Sequence, residues 1–360
     1  MQDKKKKILH LVEAFGGGVF TFLAELSNSM SEDYDIVIAY AKRKQTPENF
    51  KEYFNKNIKF IEVKNFTRNI GIKDFKACKE VKQIIKQENP DIVHMHSSKA
   101  GIIGRLVISN KNRKLFFTPH GYSFLKQDDS AIKRFIYKSI EKLAAMYKRR
   151  CKIIACSKGE YTETLKLTKN CTYVNNGVNT DEIDKIIKGI IPEKINTNNI
   201  KICTVGRIGF QKNPKLFNEI AEKFPQYTFT WIGDGELKES LTSKNIEITG
   251  WASRENVLKQ LRENDIFILP SLWEGLPIAL LEAMYLGKIC IVSNVIGNRD
   301  VIKNGENGFV CDNLKEYENV INSISEKKVD INRIQKNVIS DIKSNYTITN
   351  MCKKYKEIYN

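Results

Sequence analysis

The sequence has no apolar run approaching the ~18 residues of a membrane-spanning helix, which excludes an integral helical membrane protein. It has no C-x-x-C pair. Its eight cysteines stand singly, most of them inside apolar runs, which excludes zinc or redox chemistry built on that spacing and reads as reduced, buried thiols. It has only four histidines, too few for an extended metal centre. Asp-x-Asp occurs once, as Asp33-Tyr34-Asp35. No secretory leader is expected in the opening residues. Lys4–Lys7 imitates its basic head, but Ile8–Phe15 carries His10 and Glu13 and runs into Gly16-Gly17-Gly18, so it reads as the first strand of a cytosolic protein.

Acidic residues are also in short supply. Lys and Arg number 59 against 42 Asp and Glu, a net charge of +17. The surplus is uneven: residues 1–180 carry +16 and residues 181–360 carry +1. A basic N-terminal half faces something anionic, such as a phospholipid surface, a lipid-linked pyrophosphate or nucleic acid.

What is present is a chain of 360 residues, 41% of them hydrophobic, enough for two globular domains. Strand-like and helix-like runs alternate. Strands fit Lys7–Val12, Asp35–Tyr40, Ile58–Val63, Asp91–His96, Lys114–Pro119 and Lys152–Cys156. Helices fit between and after them, including Val19–Met30, Pro47–Asn55, Ile72–Glu88, Ala100–Ser109, Ile132–Arg150 and Gly159–Leu167. Turn-rich Asn175–Asn179 closes this half, and 180–199 reads as a short helix and a polar connector. The pattern then restarts. Strands fit Lys201–Val205, Thr228–Ile232, Ile246–Thr249, Asp265–Leu269 and Ile289–Ser293; helices include Pro214–Phe224, Leu237–Ser243, Arg254–Arg262, Ile278–Leu286, Leu314–Glu326 and Ile331–Ser344. Such alternation argues for two α/β domains with parallel sheets, which bind ligands outside the carboxyl ends of their strands.

Residues suited to chemistry sit at those ends. Gly16-Gly17-Gly18 opens a helix after the first strand, where glycine permits close backbone approach. His94 and His96 share a face of the fourth strand. A metal there needs three or four ligands, and no Cys/His/Asp cluster accompanies them in sequence. Ser97 or Ser98 fits as N-cap of the next helix. His120, in Thr118-Pro119-His120-Gly121-Tyr122, follows the fifth strand, where no packing pattern demands a histidine. In Gly206–Pro214, Arg207 and Lys212 can bracket a pyrophosphate, one as a fork and one as a point charge. Pro270–Met284 reads as the end of a buried strand, a loop holding Glu274 and Gly275, and a helix started by Pro277 and holding Glu282. The amides of Leu276, Ile278 and Ala279 then open that helix as an anion site. Carboxylates on either side of an anion site suit a nucleotide-sugar. The Ile132–Arg150 helix carries Lys133, Arg134, Lys138 and Lys142 on its polar face, which fits either solvent or anionic lipid.

Glu274 to Glu282 resembles the Glu-x7-Glu signature of the retaining, family-four (group 1) glycosyltransferases of GT-B fold. The resemblance extends to 16–18, 94–99, 118–121 and 206–213, in order and spacing. It implies two Rossmann-like domains facing each other across a cleft: an acceptor domain at 1–179, with helix 346–360 packing back on it, and a donor domain at 180–345. It implies Gly17 and Gly18 beside the donor phosphates, Arg207, Lys212, Gly275, Leu276, Ile278 and Ala279 at the pyrophosphate, Glu282 on the ribose, and Glu274 and His120 at the transferred sugar as catalytic residues. Gly233–Gly235 and Thr249–Trp251 resemble the turns bordering the nucleobase.

His96–Gly101, Pro119–Phe124 and Ala155–Glu160 look most like bacterial enzymes of surface-polysaccharide assembly. This implies a UDP-sugar donor carrying a hexose or N-acetylhexosamine, a polyprenyl-diphosphate-linked saccharide acceptor, and a cytoplasmic enzyme peripheral to the anionic face of the inner or plasma membrane. Asp33-Tyr34-Asp35 lies at the wrong end of its strand to hold a metal for the ligand, so no metal or other cofactor is expected. Two rivals stand beside this reading. One is a nonhydrolysing UDP-sugar epimerase of the same fold. The other is a noncatalytic basic binding protein; its nucleic-acid form lacks an aromatic-basic motif or recognition helix, so no nucleic acid is expected.

Overall fold

The structure, a computed structural model, describes residues 5–43, 45–67, 71–188 and 195–360. Two units form. One comprises Met1–Leu125, Asp129–Asn176 and Ile348–Asn360, the other Lys126–Asp128 and Gly177–Thr347. The elements of the N-terminal half are β1 (Lys7–Phe15), α1 (Gly17–Met30), β2 (Asp35–Lys42), β3 (Lys59–Glu62), α2 (Lys73–Glu88), β4 (Ile92–His96), α3 (Ser98–Val107), β5 (Lys114–Thr118), α4 (Ala131–Tyr147), β6 (Cys151–Ala155), α5 (Lys158–Leu165) and β7 (Cys171–Tyr173). The C-terminal half continues with α6 (Thr180–Ile187), β8 (Lys201–Val205), α7 (Pro214–Lys223), β9 (Thr228–Ile232), β10 (Ile246–Ile248), α8 (Arg254–Arg262), β11 (Ile266–Leu269), α9 (Ile278–Tyr285), β12 (Ile289–Ser293), α10 (Asn298–Val301), β13 (Phe309–Cys311), α11 (Leu314–Ser325), α12 (Ile331–Asn345) and α13 (Ile348–Tyr359). Of the expected connector, residues 189–194 lie outside the described residues.

Each unit holds one parallel sheet. In the first the order is β3-β2-β1-β4-β5-β6-β7; in the second it is β10-β9-β8-β11-β12-β13. Both are doubly wound. The order reverses between β1 and β4 in one sheet and between β8 and β11 in the other, so the ligand crevices of this architecture open at the carboxyl ends of those pairs. The central strands read as unbroken apolar runs because helices cover both faces. Ile266, Phe267, Ile268 and Leu269 of β11 are all fully buried.

Four local differences from the sequence expectation have physical causes. Pro47–Asn55 is only a 3-10 turn at Phe50–Tyr53; the Asn28 side chain takes the Asn55 amide at 2.8 Å, and Phe54 extends to bury its ring beside Phe15 and Phe20. Leu237–Ser243 shrinks to Lys238–Ser240, because Asn218 Oδ1 takes the amides of Thr242 and Ser243 at 2.7 and 2.8 Å. The edge strands β7 and β13 have three residues each, too few for a sequence period. Pro277 caps α9 instead of lying in its first turn: its ψ is 122°, so the helix begins at Ile278 and Leu276 lies before it.

In the first unit α13 covers the face of the sheet that bears the histidines. Tyr359 Oη lies 2.6 Å from His94 Nδ1, and the rings of Tyr355 and Phe22 pack together. On the other side of this sheet, α4 is tied inward by a fully buried ion pair, Arg105–Glu141 at 2.5 Å, with the guanidinium over the Phe117 ring at 4.3 Å. Its opposite face leaves Ile132, Phe135, Leu143, Met146 and Tyr147 exposed.

Candidate functional site

In the second unit the loops leaving β8 and β11 meet at the point where strand order reverses. The Leu272 amide donates to Gln211 O at 2.8 Å, and Gln211 Nε2 donates to Trp273 O at 2.9 Å. This lacing brings Lys212 Nζ to 2.7 Å from Glu274 Oε1, with Glu274 buried. A third loop closes against the first. Gly233 has φ +144°, and a Cβ there would sit 2.2 Å from Gly206 O, so only glycine lets the two backbones approach. Trp231 Nε1 donates to that same carbonyl at 2.8 Å.

Arg207 shares this loop but faces another partner, the exposed Glu236, which it engages with Nε and one terminal nitrogen. The two cations expected to form one clamp are therefore held by separate carboxylates. An exposed fork of this kind exchanges cheaply for a phosphate.

Gly275 and Leu276 follow Glu274 and lead into α9, whose N-terminus no side chain caps. The first-turn amides are those of Ile278 and Ala279; the Leu280 amide turns back onto Pro277 O at 3.2 Å. One turn further, Glu282 is buried, and burial raises its carboxyl above the usual range against the pull of Arg254. Arg254 bridges Glu282 at 3.3 Å and Glu182 of α6 at 3.5 Å. Each glutamate of the pair thus has its own cation, Lys212 for Glu274 and Arg254 for Glu282.

Arg254 was not legible as a site residue. One signal was available: it opens α8 directly after the N-cap Ser253, where a cation opposes the helix dipole. Such a local conflict is compensated by tertiary partners, and here they are the two glutamates.

In the first unit Gly17 and Gly18 open α1 and are exposed, with no atom within 4 Å of a Cβ at either position. Asp33 pairs with Lys356 of α13, and Asp35 starts β2, at the amino ends of the strands. Ser97 occupies the N-cap of α3 with φ +69°, but its hydroxyl caps nothing. His120 lies after β5, half-buried, and takes φ +54°, a left-handed conformation uncommon outside glycine.

All four histidines of the chain gather here. His10 of β1 stands beside His94 of β4 in register, which corrects the expectation that nothing accompanies His94 and His96. His120 Nε2 is 3.1 Å from His96 Nδ1, and His96 Nε2 is 3.0 Å from His10 Nδ1. His94 stands aside, with Nδ1 at Tyr359 Oη and Nε2 2.8 Å from Thr118 Oγ1. Burial drives the pKa of His10 and of His120 down to about 3 and those of His94 and His96 well below the ordinary value, so all four rings are neutral. His10, His94 and His96 place ring nitrogens within 4.8 Å of one another, close enough to consider a metal. Both nitrogens of His94 are already engaged, and a direct hydrogen bond fills the space between His10 and His96.

Two family patterns cover most of the chain: Glycosyltransferase Family 4 over residues 16–182 and Glycosyl transferases group 1 over residues 186–341. The chain is 32% identical over 338 residues to an Escherichia coli UDP-Gal:alpha-D-GlcNAc-diphosphoundecaprenol alpha-1,3-galactosyltransferase, covering 86% of this chain and 85% of that one. It is 28% identical over 367 residues to an uncharacterized 41.2 kDa protein in the cps region of Klebsiella pneumoniae, covering 98% and 99%. Among solved structures, HepE of Anabaena in complex with UDP and glucose superposes with a TM-score of 0.77 at 16% identity, covering 98% of this chain and 99% of that one.

Proposed function

The chain belongs to glycosyltransferase family 4, the group 1 glycosyl transferases, of the bacterial surface-polysaccharide type; on that premise we propose that it transfers a hexose or N-acetylhexosamine from a UDP-sugar to a polyprenyl-diphosphate-linked saccharide, with retention and without a metal ion. The observation that carries the reading is the Lys212–Glu274 pair, set at the strand-order reversal of the second unit and followed directly by the uncapped N-terminus of α9. A cation from the loop after β8, and a carboxylate and two helix amides from the stretch after β11, match a sugar diphosphate, with hydroxyls to accept from and charge to receive.

Loss of the diphosphate leaves negative charge on the phosphates and positive character on the sugar. Lys212, the α9 amides of Ile278 and Ala279, and Arg207 once released from Glu236, receive the first as preorganised donors. Glu274 faces the second. Glu282, held by Arg254, binds the ribose hydroxyls. His120 is neutral, so its role is to hydrogen-bond a sugar hydroxyl rather than to supply charge.

The same premise gives the enzyme a membrane-bound acceptor, and we read α4 as its contact with the cytoplasmic face. The exposed Ile132, Phe135, Leu143 and Met146 stand among Lys133, Arg134, Lys138 and Lys142, so the surface offers apolar insertion as well as charge. Among the described residues no helix is long and apolar enough to cross a membrane. The functional test incubates the pure protein with radiolabelled UDP-sugars, with and without polyprenyl-diphosphate saccharide. Label moving to lipid only when acceptor is present supports transfer. Conversion of the free donor without acceptor supports an epimerase, and no conversion with any donor supports a noncatalytic protein.

A further inference from the structure

The three linked rings of the first unit carry a consequence for His120. A neutral imidazole has one N–H and one lone pair, so each ring in a string must donate on one side and accept on the other. The string His10–His96–His120 therefore has only two senses, and every ring changes tautomer if one does. In one sense each ring carries its proton on Nε2, and the surplus N–H ends at His10. That nitrogen is buried and has no hydrogen-bond partner. In the other sense each ring carries its proton on Nδ1, and the surplus N–H ends at the half-buried His120. A stranded interior N–H is the rarer defect in folded proteins, and an N–H at the half-buried ring can find an acceptor. A carboxylate also lies near the outer end: Glu160 Oε1 takes the Gly121 amide at 2.6 Å, which favours the positive end of the string there.

We propose that His10 and His96 are positioning residues that fix the tautomer of His120, so that its Nδ1–H points outward as a hydrogen-bond donor. His120 then offers a ligand a donor and never a lone pair, and a hydroxyl it meets must accept. The left-handed backbone of His120 agrees with a ring held by its partners rather than by local preference. Burial, which keeps each ring uncharged, keeps the string in neutral, directional form. Free histidine favours Nε2–H, so three Nδ1–H rings in one protein form a signature that independent rings would not produce.

The test is nitrogen NMR on ligand-free protein labelled at histidine, with the four rings assigned by single substitution. The expected result is Nδ1–H on His10, His96 and His120 together. Two variants read the coupling. His10→Asn keeps a donor toward His96 and leaves the His120 pattern unchanged. His10→Met offers only an acceptor there and moves His120 toward Nε2–H, although residue 10 is two rings away. Nε2–H at His120 in the unsubstituted protein, mixed tautomers along the string, or a His120 pattern indifferent to residue 10 would overturn the proposal. Stoichiometric metal bound at His10, His94 and His96 would overturn it too. A second readout rests on the proposed sugar contact: His10→Met should weaken UDP-sugar binding several-fold while leaving UDP binding unchanged. If the NMR result holds and UDP-sugar affinity does not move, the sugar contact of His120 is wrong and the string stands.

Discussion

Lys212 Nζ and Glu274 Oε1 stand 2.7 Å apart across 62 residues of sequence, with the carboxylate buried and the ammonium mostly so. A buried ion pair is costly to break on one side only, because the remaining charge is stranded. The two groups are therefore coupled twice, through the fold of the second unit and through the proposed chemistry.

Lys212→Ala should lower kcat by ~10²-fold or more, the loss expected when one preorganised donor to developing charge is removed. Glu274→Gln keeps the shape and removes the charge, so kcat should fall while UDP still binds by calorimetry. Both variants should retain their far-ultraviolet circular dichroism. Wild-type activity should survive EDTA; full dependence on added Mg²⁺ or Mn²⁺ would refute the metal-free proposal.

Glu282→Ala should chiefly weaken UDP, by about tenfold or more, since hydrogen bonds to a charged group contribute ~1.5–3 kcal/mol. Arg254→Ala should do the same, because Glu282, whose carboxyl burial already pushes up, then loses the cation that opposes this and holds the side chain in place. Calorimetry with UDP checks both. Unchanged affinity in the Glu282 variant would remove the ribose assignment.

The loops after β8 and β11 were legible in the sequence because each follows a buried apolar strand and each carries its charge beside a glycine. The sequence did not show which charges pair. Arg207 found Glu236 rather than sharing a clamp with Lys212, and the choice depends on how the loop after β9 folds over Gly206. The histidine string was hidden for a related reason. His10 and His94 are neighbours only because β1 lies beside β4, a matter of strand order that no local period encodes. Helices were legible where an amphipathic pattern ran for several turns. They shrank to single turns within 47–55 and 237–243, where an asparagine from elsewhere takes the amides of Asn55, Thr242 and Ser243.

Acid should unfold this protein early. His10 titrates at about 3 in the fold against about 6.5 when unfolded, so the unfolded chain binds more protons between those values. The stability contributed is complete above pH 6.5 and is lost as pH falls toward 3, at about 1.4 kcal/mol per pH unit for this ring. His94, His96 and His120 act in the same direction. Urea midpoints should fall steeply from pH 6.5 to 5, and His10→Asn should make the slope shallower. A midpoint independent of pH over that range would contradict the buried neutral rings.

Flotation on liposomes should separate charge from insertion at α4. Recovery should require anionic lipid and fall as NaCl rises, because the Debye length is ~8 Å at physiological salt. Gln at Lys133, Arg134, Lys138 and Lys142 should weaken it. Ser at Ile132, Phe135 and Leu143, which are 75%, 71% and 63% exposed, should weaken it at every salt concentration. Activity on a soluble acceptor should persist in both variants. Equal recovery on neutral and anionic vesicles, or none on either, would leave α4 without this role.

The return of α13 to the first unit fixes an order of assembly. Residues 177–347 of the second unit are synthesised before Ile348–Tyr359, so the first unit gains its last helix only after the second unit's chain has been made. Until then the sheet face bearing His10, His94 and His96 lacks the cover of Tyr355 and Tyr359 and keeps only that of α1, whose Phe22 packs on His96. A released chain that stops at residue 347 should therefore keep a folded second unit, while its first unit is cut by protease sooner than in the full chain.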